Sequence, residues 1–358
     1  MDYEIEMLPV GDSNGDAICV RYGTPDAFRV HLIDGGFTDT SDAVVNHVRE
    51  YYGRNTSVDH ALVSHGDNDH ACGLIGALKS LPTRNIWMHR PWLYAPQIVD
   101  SFHGNWTLAG LTKYIRDSHE YLVEFEAIAN LRQIPIYAPF AGRRIGEGFV
   151  VLAPSEQRYI SLLHALDKSP PSYKDKKGLL GAVLGGARNV LDVVREAWDI
   201  ETLDENPPAT SASNETSVVQ MGVFGAKRAL LTADVGPDGL REAAQYARAM
   251  GLFGSPNFVQ VPHHGSRRNV TPSVLNEWLG APLEDRNARR GVAFCSVGKD
   301  ADIYPRKKVK NAFMRRGYPV HATRGWTKRH HSGGVWGERA GWKVSEPEAF
   351  DPNVGEED

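Results

Sequence analysis

Short apolar runs separated by Gly, Asp and Asn open the chain. Residues 3–8, 17–22 and 29–33 read as strands, with a tight turn over 11–16 and another at Asp34-Gly35-Gly36. Residues 41–51 then read as a helix, with Ser41 as N-cap and Val44, Val45 and Val48 at helical spacing. The apolar strand at 60–63 runs straight into a loop rich in histidine and aspartate, which places that loop at a strand's carboxyl end. A helix at 73–81 and a strand at 85–89 follow, and the pattern then turns helical. Leu111, Ile115, Leu122, Phe125 and Ala129 share one helical face, as do Leu184, Leu191, Val194 and Trp198.

Residues 91–212 read as a largely helical insertion that carries one strand at 149–152 and turn-rich links at 169–172 and 204–213. Strand signals resume at 217–223, 229–232, 258–261 and 292–297, with a helix over 239–250 between them. Strands and helices alternating in this way, without an internal repeat, predict an α/β layered protein. The expected organisation is one core over 1–300 and a basic, aromatic carboxyl-terminal segment over 301–358 packed on it.

Composition narrows the class. A chain of 358 residues with 41% hydrophobic and 23% charged positions can bury a large core. The amino terminus is acidic and lacks the basic and apolar blocks of a secretory signal, and no run near 18 apolar residues occurs, so a cytoplasmic protein without a membrane partner is expected. Cys19, Cys72 and Cys295 are odd in number and form neither a CxxC pair nor a disulfide framework, which predicts reduced, buried thiols. A net charge of -4 excludes coating of nucleic acid by bulk charge. A local basic face is still expected between residues 299 and 343, where Arg306-Lys307-Lys308 and Arg315-Arg316 lie.

The run His65-Gly66-Asp67-Asn68-Asp69-His70 packs four potential metal ligands into six residues. Unshielded, Asp67 and Asp69 would repel, and a divalent cation is the natural way to keep both ionised. The alternative is a solvated polar turn. Two further positions stand at strand ends: Asp234, after Leu230-Leu231-Thr232-Ala233, and His263-His264, before Gly265-Ser266. Singly, the first reads equally as a helix cap and the second as a satisfied turn. Taken with the first loop they point to a metal centre.

These pieces resemble metallo-β-lactamase-fold hydrolases, specifically those similar to the carboxyl-terminal domain of the ComEC competence proteins. The matching segments are Gly15-Asp16-Ala17, Leu32-Ile33-Asp34-Gly35-Gly36, Ser64 to His70, Asn214 with Ser217, Leu230 to Asp234, Pro262 to Ser266 and Ser296-Val297-Gly298. The resemblance implies an αββα sandwich with its site on loops at one edge. It also implies that His65 and Asp67 bind one metal, Asp69 and His70 a second, and Asp234 both, with His263 and His264 completing the site or contacting a scissile phosphate. Two departures stand out. The loop's third position is usually histidine in this fold and is Asp67 here, which tilts the two expected divalent ions from zinc toward manganese. A His-Pro element expected after Ser-Val-Gly is Tyr304-Pro305, so a late ligand is missing or supplied elsewhere.

His89, at the end of a strand, is the candidate for the remaining ligand; the competing reading is a surface or capping histidine. His103, His119 and His164 read as structural, His330-His331 as solvated, and Cys72 as a small core residue. The implied activity is that of a metal-dependent hydrolase, a phosphodiesterase or nuclease. Asp69, Asp234 and His264 would be at the chemistry, and Ser266, Tyr304, Arg306 and Lys307 on the substrate. Nucleic acid or another phosphodiester is the expected partner, with Tyr318, Arg324, Trp326, Lys328, Arg329, Trp336 and Trp342 offering stacking and phosphate contacts. The alternatives are a hydrolase of a small ester, lactone or cyclic nucleotide, and a non-catalytic binding module of the same fold.

Overall fold

The computed structural model describes residues 1–166, 168–170 and 194–355. Asp2–Met7 (β1) turns Tyr3, Ile5 and Met7 to one face and Glu4 and Glu6 to the other, the period-two consequence of an extended chain. It forms an antiparallel meander with Ile18–Thr24 (β2) and Ala27–Ile33 (β3). His60–Leu62 (β4), Ile86–Trp87 (β5) and Ile136–Tyr137 (β6) then add in parallel.

The second sheet begins with the hairpin Arg144–Ile145 (β7) and Phe149–Ala153 (β8). Val194–Arg195 (β9) stands apart from it. Val219–Phe224 (β10) and Lys227–Leu231 (β11) extend the sheet antiparallel, and Phe258–Gln260 (β12), Val292–Cys295 (β13) and Val320–Ala322 (β14) extend it in parallel. Lys328–His331 (β15) returns to the first sheet beside β1, and Asn353–Val354 (β16) pairs with β9. Among the described residues each main sheet has seven strands.

Three apolar layers show how the sheets stack. Tyr3, Ile5, Val20, Tyr22 and Leu62 meet Phe149, Val151, Leu231, Phe258 and Phe294 between the sheets. The outer face of the first sheet packs on the helices Ser41–His47, Asn68–Ser80, Leu108–Ser118 and Glu120–Arg132. The outer face of the second packs on Pro237–Ala249, Pro272–Leu279 and Lys307–Arg315. The order helix, sheet, sheet, helix is the αββα sandwich. All three cysteines are buried and unpaired. Among the described residues no helix is long and apolar enough to cross a membrane.

Several local expectations change. The helix expected over 73–81 begins five residues earlier, at Asn68, so Asp69 and His70 stand on its first turn. Gly35 and Gly73 let that helix close on the strand-end turn: a Cβ on Gly73 would lie 1.9 Å from the Gly35 carbonyl oxygen. The face Leu111, Ile115, Leu122, Phe125, Ala129 is split between two helices that meet at His119, yet all five residues are buried together. Leu184 and Leu191 lie outside the described residues, as do Pro171 and Ser172. Val194 belongs to a strand and not to a helix, because Val194–Arg195 is held by ladder bonds to β16.

The carboxyl-terminal segment contributes a strand to each sheet, and its charges are drawn inward. Arg329 and Arg339 bond to the buried Glu4 and Glu6, Arg315 to the buried Glu196, and Arg316 to Glu201. His330, expected to be solvated, instead packs among Tyr3, Phe258 and Phe294, because its strand turns it inward.

Candidate metal centre

β3 and β4 in one sheet and β11, β12 and β13 in the other end at the same edge of the sandwich, and in α/β sheets the carboxyl ends of parallel strands are where ligands gather. Four loops converge there: Asp34 to Gly36 after β3, Ser64 to His70 after β4, Thr232 to Asp234 after β11, and Pro262 to Ser266 after β12. A backbone bond from Val218 N–H to the Ser64 carbonyl, 3.1 Å, ties the two sheets at this edge.

The geometry brings together His65, Asp67, Asp69, His70, Asp234, His263 and His264. Asp69, His70, Asp234 and His264 each offer a donor atom within 4.8 Å of the others. His70 Nε2 lies 3.4 Å from Asp234 Oδ1 and 3.7 Å from Asp69 Oδ2, and His264 Nε2 lies 3.7 Å from Asp69 Oδ2. His65 Nε2 and Asp67 Oδ2 are 3.4 Å apart, and the His65 and His70 rings are 4.2 Å apart between centroids.

Each of the three central imidazoles is turned by a bond on its far nitrogen. His70 Nδ1–H donates to Asp34 Oδ2 at 2.8 Å, His65 Nδ1–H to Ser64 Oγ at 3.0 Å, and His264 Nδ1–H to the Ser296 carbonyl at 2.8 Å. Their Nε2 atoms therefore face the centre. All three Nε2 atoms, and Asp234 Oδ1, are buried and lack a hydrogen-bond partner among the described residues. Buried polar atoms are rarely left so.

Separations of 3.4 to 3.8 Å are long for hydrogen bonds, and they match donors that share a cation. Two atoms each about 2.1 Å from a tetrahedral ion lie about 3.4 Å apart. The residues present fit a divalent metal.

The electrostatics agree. Burial alone would lower the His264 imidazole, but Asp234, Asp69 and Asp16 raise it to about 9. His70 is likewise raised well above its ordinary value, against burial, by Asp234, Asp69 and Asp34. Burial would raise Asp234, and His70, His263 and His264 hold it well below the usual carboxylate range. Without a metal the carboxylates keep these rings protonated, and a metal would take the proton's place.

A second ring of contacts holds the ligand-type groups. Asp34 accepts from Ser64 N–H at 2.7 Å and Ser64 O–H at 2.5 Å besides His70. Gln260 Oε1 accepts from Thr232 and Ala233 N–H while its amide donates to Asp16 at 2.7 Å, which fixes the turn that carries Asp234. Asn269 donates to the Asp234 carbonyl and accepts from His263 Nδ1 at 3.0 Å. Ser213 donates to Asp67 at 2.8 Å. Asp34, Asp16, Gln260, Asn269 and Ser213 were not singled out as site residues from the sequence. Asp34 and Asp16 do follow the Asp-Gly-Gly and Gly-Asp patterns quoted above.

His89 is not among the converging groups. Its ring stacks on Tyr159 at 4.2 Å and packs on Phe140 at 4.7 Å, and burial pushes its pKa down to about 3. It lies on the wall of a cavity of about 110 Å³ that His65 and Asp67 also line. Ser266 is buried at the end of the His263-His264 turn. Tyr304 packs against the core of the second sheet, with the Arg306 guanidinium 4.9 Å from its ring centroid. Arg306 N–H bonds to the Gly265 carbonyl at 3.0 Å; its guanidinium is buried, and Nη1 lacks a partner. Lys307 pairs with Asp351 at 3.3 Å.

No protein-family model matches the chain, and no curated protein does. Solved structures match distantly. Tm1679, described as a metal-dependent hydrolase of the β-lactamase superfamily, is 14% identical over 96% of this chain and 100% of its own, with a TM-score of 0.42. Zinc-bound PqqB from Methylobacterium extorquens is 13% identical over 92% of this chain and 99% of its own, at 0.39. The metallo-β-lactamase fold protein YhfI from Bacillus subtilis is 11% identical over 91% and 100%, at 0.37. The strand order and the two helical layers make this fold an αββα sandwich of the metallo-β-lactamase type. Similarities this distant carry nothing about substrate or chemistry.

Proposed function

We propose that this protein is a metal-dependent hydrolase of phosphodiesters. The observation that carries the reading is the set of buried, unpartnered Nε2 atoms of His65, His70 and His264, turned with Asp234 Oδ1 toward Asp67 and Asp69. His65 and Asp67 would hold one cation, Asp69, His70 and His264 another, and Asp234 would serve both. Hard oxygen donors are as numerous as imidazoles in this set, which suits manganese as well as zinc. Bound there, such ions supply Lewis acidity and a water that ionises near neutral pH.

The chain's own residues do the rest. Asp34, Ser64 and the Ser296 carbonyl fix which imidazole nitrogen faces inward, and Asn269 orients His263 by accepting from its Nδ1–H. Arg306 is a buried cation with no acidic partner among the described residues, held by its backbone beside the His263-His264 turn. An uncompensated buried charge is costly, and an anionic substrate would compensate it, which favours a phosphodiester over a neutral ester or lactone.

Small phosphodiesters fit better than polynucleotide. Many of the cations that suggested a nucleic-acid rim are engaged internally, Lys307 on Asp351, Arg315 and Arg316 on Glu196 and Glu201, Arg324 on Glu348, and Arg329 and Arg339 on Glu4 and Glu6.

Elemental analysis of the purified protein and of a folded His65→Ala, Asp69→Ala double variant, alongside hydrolysis of bis(4-nitrophenyl) phosphate with manganese or zinc, tests the reading. Bound metal and turnover in the first, and loss of both in the second, are expected. Equal metal content in the two proteins would overturn the assignment of the centre, and a loaded protein inert toward phosphodiesters would overturn the substrate class.

A further inference from the structure

The cavity on the His65 and Asp67 side of the centre has features that the hydrolytic reading leaves unused. Val63, Pro91, Leu122, Tyr159 and Leu166 form its apolar wall and Asp67, Ser213 and Thr216 part of its polar one, and besides His65 three nitrogen-bearing side chains face the same space: His89, His119 and Lys168. His89 is only 5% exposed, and neither of its ring nitrogens has a partner among the described residues. A buried imidazole with two unmet hydrogen bonds is an unusual expense in a native interior, and it marks a place where a ligand atom belongs. Lys168 Nζ donates to the Gly66 carbonyl at 3.1 Å, which anchors the ammonium at the mouth of the ligand loop and leaves further N–H donors unused there. No acidic side chain pairs with it among the described residues. The acid on the cavity wall, Asp67, is already engaged by His65 and Ser213.

Size limits what can enter. About 110 Å³ is somewhat less than the roughly 150 Å³ of an engineered cavity that takes benzene, so the space suits a group of a few heavy atoms and excludes a base joined to its sugar. Asp67 is engaged, and the Lys168 ammonium on this wall has no acidic side chain paired with it among the described residues.

We propose that this cavity binds a compact oxyanionic group of the substrate, a carboxylate or a terminal phosphoryl group, with Lys168 and His89 as its donors. The inference rests on the phosphodiester reading and narrows it: the hydrolysed bond belongs to a small molecule with a second negative charge close to the scissile phosphorus, and not to the interior of a polymer. The metal-ligand groups and Arg306 take the phosphoryl end, and the cavity takes the other. Lys168 and His89 act in recognition, so their effect falls on discrimination between substrates.

The test uses two non-hydrolysable probes that share one head group, 2-carboxyethylphosphonate and propylphosphonate, titrated calorimetrically into the full chain loaded with manganese. The wild type is expected to bind the carboxylated probe at least tenfold more tightly. Lys168→Met, which keeps the stem and removes the charge, and His89→Phe, which keeps the stacking on Tyr159 and removes both nitrogens, are each expected to bring the ratio of the two dissociation constants to within about threefold of unity. Should one variant fail to fold, the other still decides. Equal binding of the two probes by the wild type overturns this inference and leaves the phosphodiester reading standing, as does an undiminished ratio in a folded variant. Binding of neither probe overturns both.

Discussion

Asp34 is where the arrangement of the centre can be tested without touching a proposed ligand. Its carboxylate accepts three hydrogen bonds, from Ser64 N–H, Ser64 O–H and His70 Nδ1–H. Asp34→Asn keeps the shape, and asparagine tolerates the left-handed backbone at this position, φ 55°, better than most residues, so the turn should survive. The amide, however, has one acceptor oxygen where the carboxylate has two. If that oxygen serves Ser64 N–H, the NH₂ group meets Ser64 Oγ and His70 Nδ1, and His70 must accept there. Its proton then sits on Nε2, the atom facing the centre, and the lone pair a metal needs is gone. Loss of an outer-shell carboxylate typically weakens metal binding 10- to 100-fold, about 1.4 to 2.7 kcal/mol. We expect Asp34→Asn to raise the manganese or zinc dissociation constant by that factor in competition with a chromophoric chelator. At a pH high enough to leave the metal-free His70 ring singly protonated, nitrogen NMR should show that proton on Nε2 in the variant and on Nδ1 in the wild type. An affinity within twofold of wild type, in a protein with unchanged secondary structure, would refute the argument that Asp34 sets the His70 tautomer.

Asp234→Asn removes a carboxylate that lies within 3.8 Å of three imidazole nitrogens, so turnover of bis(4-nitrophenyl) phosphate should fall by more than the roughly hundredfold typical of an outer-shell partner; near-wild-type turnover would make Asp234 a structural turn residue. His31 is buried between the sheets, where burial and His60 lower its pKa from 6.5 to about 3, against the hydrogen bond to Gln220. The unfolded chain therefore binds the extra proton between those values, and stability falls as pH drops through that window, by about 1.4 kcal/mol per unit and about 2 kcal/mol at pH 5. Urea unfolding in the presence of chelator should show a shallower loss between pH 7.5 and 5 in His31→Gln, and parallel behaviour of the two proteins would refute it. Arg315→Met leaves Glu196 buried without its partner at 3.0 Å and should cost about 3 to 5 kcal/mol of stability while metal content in the folded fraction is unchanged; a loss under about 1 kcal/mol would mean that Glu196 finds other compensation.

The parts of this architecture legible in the sequence are those with a local cause. Apolar runs bounded by Gly and Asp marked β1 to β4 and β10 to β13 because each of these strands buries its own side chains. The 65–70 loop was legible as a candidate site because four donor groups in six residues have few other uses, and its side chains do converge at the sheet edge. The start of the helix at Asn68 was not, since Asp69 and His70 point into the candidate metal centre and carry none of the apolar periodicity that announces a helix. His89 stood at a strand end like the residues that converge on the candidate centre, but whether a strand-end side chain turns toward the centre or onto Tyr159 is decided by tertiary packing. The basic tail looked like a solvated or phosphate-binding face because its counter-charges, Glu4, Glu6, Glu196 and Glu201, lie more than a hundred residues away in sequence.

Four non-glycine residues at this edge hold positive φ angles: Asp34, Ala233, His263 and His264, between 46° and 56°. Such conformations cost on the order of 1 kcal/mol each and persist only where the surroundings fix them. Here the fixing contacts can be named. The two strands after which the second sheet contributes ligand-type groups, β11 and β12, are tied by Gln260, whose carbonyl oxygen receives both N–H groups ahead of Asp234. Asn269 spans the Asp234 carbonyl and the His263 ring. Asp34 closes onto Ser64 and His70, and Gly35 N–H onto the His70 carbonyl at 2.8 Å. The strained turns therefore point their side chains inward through hydrogen bonds of the chain itself, which come from a neighbouring strand or loop. Contacts of this kind hold the backbone without calling on a metal, so treatment with a chelator should leave the loops in place and remove only what any bound ion adds to stability.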